Sequence, residues 1–256
     1  MIDERAMIHP SAKLAKGVTV GAGAVIGAHV EIGEGTSVGP YAVIEGPTVI
    51  GKNNKIFQFS SIGDEPQDVT YKGEPTRLEI GDNNIIREYC MISRGTVKGG
   101  GVTRIGNNNF FMAYTHVGHD CLISNHTIMV NYSALSGHVV VHDYAIIGGY
   151  AAVHQFCHVG VYAFVARATY VSKDVLPYLM IAGYNSSTCG INTVGLRRRG
   201  FSSEAINNLR RAYKIIFRKG LTVQQAIEEL VPLSQESPEV LPMLEALKES
   251  SRGIVR

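Results

Sequence analysis

Aliphatic residues recur every six positions along most of this 256-residue chain. From Ile8 the steps fall on Leu14, Val20, Ile26, Ile32, Val38, Ile44, Ile50, Ile56 and Ile62, and the register resumes at Ile80, Ile86 and Ile92. It slips by one residue and then runs from Ile105 through Phe111, Val117, Ile123, Met129, Leu135, Val141, Ile147, Val153, Val159 and Val165 to Val171. A second register, four residues after each anchor, holds small residues such as Ala24, Thr36, Ala42, Thr115, Cys121, Thr127, Ser133 and Ala145. Period six is neither the 3.6 of a helix nor the 2 of a flat strand. It fits a short strand followed by a sharp corner, with the anchors pointing inward and stacking coil on coil. Three such units make a coil of 18 residues. Gly follows many anchors (Gly21, Gly27, Gly33, Gly51, Gly106, Gly118), and Gly and Asn are expected at the corners, where they adopt positive φ at low cost. The fold class read from this is mainly β, a parallel β-helix built from hexapeptide repeats.

Two stretches interrupt the register, residues 63–79 and 94–104. Insertions into a solenoid become loops on its outside, often at the binding face. The pattern ends near Val171. Helical spacing then predicts a helix over 203–219 with Gly220 as its stop, a second over Val223–Val231 capped by Thr222 and ended by Pro232, and a third over Glu239–Ser250. The chain therefore divides into a β-helix domain at 1–188 and an α-helical domain at 189–256. The second part is basic, with Arg197, Arg198, Arg199, Arg210, Arg211, Lys214, Arg218 and Lys219, a face suited to an acidic partner.

Composition narrows the function. With 24 Lys+Arg against 22 Asp+Glu the net charge is +2, which argues against a general nucleic-acid binder. No apolar run is long enough to span a bilayer. Met1-Ile2-Asp3-Glu4-Arg5 lacks the look of a secretion signal, and the four cysteines form neither a metal motif nor a disulfide framework. A cytoplasmic protein with free thiols is expected.

Seven of the nine histidines lie between 116 and 158. Adding 18 moves one coil along, about 4.8 Å. Gly137 then stacks on His119 and Gln155 on Gly137, while Asp120, His138 and Phe156 form the neighbouring column. A neutral imidazole serves as a general base near pH 7, and an unobstructed glycine amide can stabilise an oxyanion. Together they suit acyl transfer to a hydroxyl. No nucleophile signature accompanies them, so direct transfer is preferred to a covalent intermediate. Clustered histidines also suit zinc, with His116, His119 and a histidine from the coil below as the candidate set. His126, His142 and His158 are expected to be bystanders.

Several segments extend this reading. They are Gly-Glu-Pro-Thr-Arg (73–77), Arg-Gly-Thr-Val (94–97), Thr-His-Val-Gly-His-Asp-Cys (115–121), Gly-His-Val (137–139), Val-His-Gln-Phe-Cys (153–157) and Arg-Arg-Gly-Phe-Ser (198–202). Together they resemble the acyl-[acyl carrier protein]–UDP-N-acetylglucosamine O-acyltransferase family over essentially the whole chain. The resemblance implies a left-handed β-helix with a helical C-terminal domain, assembled as a homotrimer with sites between subunits. It implies transfer of an (R)-3-hydroxyacyl chain from acyl carrier protein to UDP-N-acetylglucosamine, the first step of lipid A biosynthesis, without metal or diffusible cofactor. It assigns His119 as general base, Asp120 as its partner and Gly137 as oxyanion donor. His116, His138, His154 and Gln155 would line the substrate cleft. Gln67 and Asp68 would contact the sugar across a subunit boundary, and Asn192, Arg198 and Arg199 would lie near the nucleotide and diphosphate. Four positions depart from the family pattern: Thr70 where Lys is usual, Ser93 where His is usual, Val194 where an acid is usual, and Arg167 where a small residue is often found at the end of the acyl groove. Arg167 implies a shorter acyl chain than in relatives with glycine. The other three leave open a changed acceptor or donor, and a metal-dependent lyase or a silent paralogue remains a further alternative.

Overall fold

The computed structural model describes residues 1–256. The short strands fall into three sheets of nine, eight and ten members, parallel except for the last strand of the ten, and up to Tyr170–Val171 successive strands visit the three sheets in rotation. Register follows the eighteen-residue spacing: Val25 pairs with Val43, Leu122 with Val140, and Ile146 with Phe164. The anchors form one continuous core. All are buried except Ile8 and Leu14, which are half-buried at the open first coil. The small register is buried as well, where larger side chains would not fit between coils. Asparagine uses part of this interior. Asn54 Oδ1 accepts from the Asn84 backbone at 2.8 Å, Asn84 Oδ1 from Asn109 at 2.9 Å, and Asn109 Oδ1 from Thr127 at 2.8 Å. This ladder satisfies buried amides at one turn of successive coils.

The interruptions appear as breaks in register. Thr48 pairs with Leu78, thirty residues on, and Met91 with His116, twenty-five on. The coil itself continues beyond Val171. Val159 pairs with Val175 and Val165 with Ile181, each sixteen residues on, so the last coil is two residues short and escapes a strict period of six. The strand Leu179–Ala182 is then covered by an antiparallel one, Ser187–Ile191.

The corners differ from expectation. Glycine and asparagine take part of the positive-φ positions, but most of the non-glycine ones are occupied by large side chains: Tyr41, Phe59, Tyr89, Tyr114, Tyr132 and Tyr150 down one corner, and His126, Tyr144, Tyr162 and Tyr178 down another. Their rings stack coil on coil, with centroids 4.7–5.9 Å apart. Stacking at nearly the strand spacing offsets the conformational cost of roughly 1–2 kcal/mol per residue. The glycines after the anchors do a different job. At Gly33 an added Cβ would lie 2.6 Å from the Gly51 carbonyl carbon of the next coil. Close backbone approach, not positive φ, demands glycine there.

Four helices follow: α1, Thr193–Arg198; α2, Ser203–Arg218; α3, Val223–Glu236; and α4, Leu241–Glu249. Ser202 caps α2, and Thr222 with Gln225 forms a capping box on α3. α3 does not stop before Pro232, as expected, but runs through it. Proline forfeits one hydrogen bond, yet Leu230 and Leu233 are both buried on the same face and the Ser237 amide closes on the Leu233 carbonyl. Burial of a further turn outweighs one missing bond. The third expected helix opens as a 3-10 turn, Pro238–Val240. The tail returns to the coil, where Val255 donates to the Asp174 carbonyl and the Ser250 hydroxyl to Asp174 Oδ2 at 2.7 Å. No helix is long and apolar enough to cross a membrane.

Candidate active site

The histidine-rich coils converge at the third corner. Asp120, His138 and Phe156 occupy its positive-φ positions in successive coils, at φ 59°, 63° and 65°. This conformation throws their side chains outward past the edge of the sheet. His138 stacks on Phe156 with centroids 4.4 Å apart. His119, one residue before Asp120, stands edge-on to His138 at 5.3 Å.

The Asp120 side chain is fully buried and His119 is 17% exposed. His119 Nδ1 donates to Asp120 Oδ2 at 2.8 Å. The carboxylate also accepts from the Thr96 amide at 2.8 Å and the Thr96 hydroxyl at 2.6 Å. The Asp120 amide donates to Thr103 Oγ1 at 2.8 Å. A carboxylate with three donors holds imidazole with its proton on Nδ1, leaving the Nε2 lone pair free. On that side lies Gly137, where an added Cβ would sit 2.5 Å from His119 Cε1 and 2.7 Å from Nε2. The Gly137 amide has no partner within the chain. An imidazole with its Nε2 lone pair free, the carboxylate that orients it, and a free N–H beside a bare α-carbon therefore meet at one edge.

Burial, opposed by the Asp120 charge, holds the His138 imidazole below its ordinary value. Burial and the neighbouring His119 do the same to His116. Both stay neutral in neutral solution and can accept or donate single hydrogen bonds. The first insertion reaches the same edge. Gln67 Nε2 donates to Met91 Sδ at 3.0 Å, and Met91 is the sheet neighbour of His116. The amide and hydroxyl of Thr70 hold the Asp68 carboxyl below the usual carboxylate range, with Lys98 and His119 acting in the same direction. His154 Nδ1 is 3.1 Å from the Tyr170 hydroxyl, and Gln155 lies exposed one coil along from Gly137.

Residues 174–255 match the family described as UDP N-acetylglucosamine O-acyltransferase, domain 2, and residues 1–33 and 29–64 match the bacterial transferase hexapeptide repeat. The acyl-[acyl-carrier-protein]–UDP-N-acetylglucosamine O-acyltransferase of Saccharophagus degradans is 54% identical over all of this chain and 99% of its own length. The chain belongs to the acyl-[acyl-carrier-protein]–UDP-N-acetylglucosamine O-acyltransferase family. Solved structures agree. The LpxA protein of Acinetobacter baumannii superposes with a TM-score of 0.98 at 44% identity, covering 100% of this chain and 99% of its own. The Francisella novicida UDP-N-acetylglucosamine acyltransferase gives 0.98 at 47% identity, covering 100% and 94%.

Not all residues expected of an acyltransferase of this family gather at one place in the chain. Asn192 caps α1 through Gly195 and donates to the Tyr162 carbonyl at 3.1 Å. The Arg199 guanidinium lies over the Tyr144 ring at 4.6 Å. Asn192 and Arg199, with Arg198 beside them at the end of α1, therefore sit at the corner after the one bearing His138 and Phe156. Arg167 is exposed and makes no ion pair. The set of donors close enough to share a cation is His119, Asp120 and His138, all within 4.8 Å, and not the His116-containing set. Asp120 Oδ2 already accepts from both Thr96 and His119, so a metal at this oxygen would compete with those hydrogen bonds. His142 and His158 instead line a cavity of about 170 Å³ against α4. Thr96, Thr103 and Gly99 escaped sequence reasoning. The only hint was Thr96 within the Arg-Gly-Thr-Val segment.

Proposed function

We propose that this protein transfers an (R)-3-hydroxyacyl chain from acyl carrier protein to the glucosamine 3-hydroxyl of UDP-N-acetylglucosamine, the first step of lipid A biosynthesis, in the cytoplasm. The observation that carries the reading is the His119–Asp120 pair set against the unpartnered Gly137 amide. His119 Nε2 takes the proton of the sugar hydroxyl as its oxygen bonds to the thioester carbonyl carbon. The Gly137 N–H stabilises the oxyanion, worth about 10²–10³ in rate for one such donor. Collapse breaks the carbon–sulfur bond, and His119 returns its proton to the departing thiolate. Asp120 stays ionised and steadies the imidazolium. His116, His138, His154 and Gln155 line the cleft, and Gln67 and Asp68 meet the sugar.

The architecture in this reading is a left-handed triangular β-helix over 1–188 and a helical domain over 189–256, assembled as a homotrimer. Support comes from the separation of residues between corners. Asn192, Arg198 and Arg199 would reach the nucleotide and diphosphate bound beside His119 of a neighbouring subunit. Arginine forks suit that ligand. The basic face of α2 receives the acidic carrier protein, and Arg167 limits acyl length. The test is incubation with UDP-N-acetylglucosamine and a panel of (R)-3-hydroxyacyl carrier proteins, with products read by mass spectrometry. An acylated UDP-sugar is expected, with shorter donors preferred; no product with any donor would overturn the assignment. His119→Ala should lose about 10²–10⁴ in rate and keep the oligomer, and full activity would remove His119 from its role.

A further inference from the structure

The second insertion lies directly on the buried carboxylate. Thr96 is the N-cap of the 3-10 turn Val97–Gly99, and its Oγ1 accepts from the Gly99 amide at 3.2 Å. With that lone pair engaged, the hydroxyl proton must point elsewhere. The Asp120 oxygen at 2.6 Å is acceptor-only when ionised, so the Thr96 O–H donates to Oδ2 while its N–H donates to Oδ1. Gly99 seals the contact, because an added Cβ would lie 2.0 Å from Asp120 Cγ. Asp120 has a competing partner: His138 Nε2 stands 3.6 Å from the same Oδ2. A carboxylate free to rotate could turn from His119 toward His138.

We propose that Thr96 is a positioning residue for the acyl-transfer reaction: its two hydrogen bonds lock the Asp120 carboxylate onto His119 Nδ1 and away from His138, so that Nε2 stays the basic nitrogen. This rests on the assignment of His119 as the base. It also gives the second insertion, residues 94–104, a purpose. Thr96 touches no substrate; it acts through Asp120.

The experiment compares Thr96→Val, Thr96→Ser and His119→Ala with the Thr96→Val/His119→Ala double variant, in the full-length protein with UDP-N-acetylglucosamine and acyl carrier protein thioester. Thr96→Val keeps shape and backbone but removes the hydroxyl. Its kcat should fall about 10- to 100-fold, the scale of a misplaced catalytic group, with KM for the UDP-sugar within about twofold. Thr96→Ser should restore most of the rate. In the double variant, Thr96→Val should cost nothing beyond His119→Ala, since both act through one unit. Overturning results are an unchanged kcat in Thr96→Val, a loss that serine does not rescue, or full additivity in the double variant. Failure of the base assignment reads differently: His119→Ala itself would then be active.

Discussion

Replacing Asp120 by asparagine changes one oxygen to an amide and leaves the shape, so its effects follow from donors and acceptors alone. Asp120 accepts three hydrogen bonds, one at Oδ1 from the Thr96 amide and two at Oδ2 from the Thr96 hydroxyl and His119. Asparagine can keep its oxygen at only one of these places. If the NH₂ faces the Thr96 amide, two buried donors meet, at a cost of about 1–3 kcal/mol. If it faces His119 instead, the imidazole must offer Nδ1 as an acceptor and carry its proton on Nε2. The second arrangement costs less folding energy, because the threonine N–H keeps its acceptor. It destroys the base, because the nitrogen facing Gly137 no longer has a lone pair. Asp120→Asn should therefore fold and oligomerise, with a stability loss of at most about 3 kcal/mol. Its kcat should fall by about 10²–10⁴, equivalent to about 2.7–5.4 kcal/mol of barrier. KM for the UDP-sugar should change little, since Asp120 is wholly buried and touches no substrate. Steady-state acyl transfer at saturating donor, with calorimetry on the same sample, measures both quantities. A variant that keeps a third or more of the wild-type rate would refute the argument, because the tautomer would then not matter.

Two further outcomes follow from burial. His116, His138 and His142 are all held below the ordinary imidazole value, chiefly by burial. The folded state therefore binds fewer protons than the unfolded state, and stability should fall as pH drops through about 6.5, where unfolded imidazoles protonate. Melting temperature should decline between neutral and mildly acidic buffer, and a flat profile would contradict this. The buried thiols of Cys121 and Cys157 are pushed up to about 12 and about 11 by burial, and burial also raises Cys90. Only exposed Cys189 should react with a thiol reagent in the native protein, and four thiols after denaturation; rapid modification of a second native thiol would mean that a coil opens.

Sequence and structure agree best where contacts recur at a constant offset. Val25 meets Val43 and His138 meets Phe156 because each coil repeats the one before it. That is why Gly137 could be laid on His119 by arithmetic alone. Corners were harder. A column of tyrosines at positive φ contradicts single-residue preference, and only stacking between coils, absent from any local window, reverses it. Pro232 likewise reads as a helix end until the burial of Leu233 is known.

The amino-acid sequence by itself therefore determined the coil, its inward-facing anchors, the histidine edge and the basic helices, because in a one-dimensional stack sequence distance is spatial distance. Tertiary structure alone decided three things. It set Thr96 on Asp120, twenty-four residues apart across an insertion of no fixed period. It carried the last coil past Val171 by dropping two residues. It also held Asn192 and Arg199 at a different corner from His119. Each depends on a loop or a shortened coil, where the constant offset fails and packing in space chooses the partner.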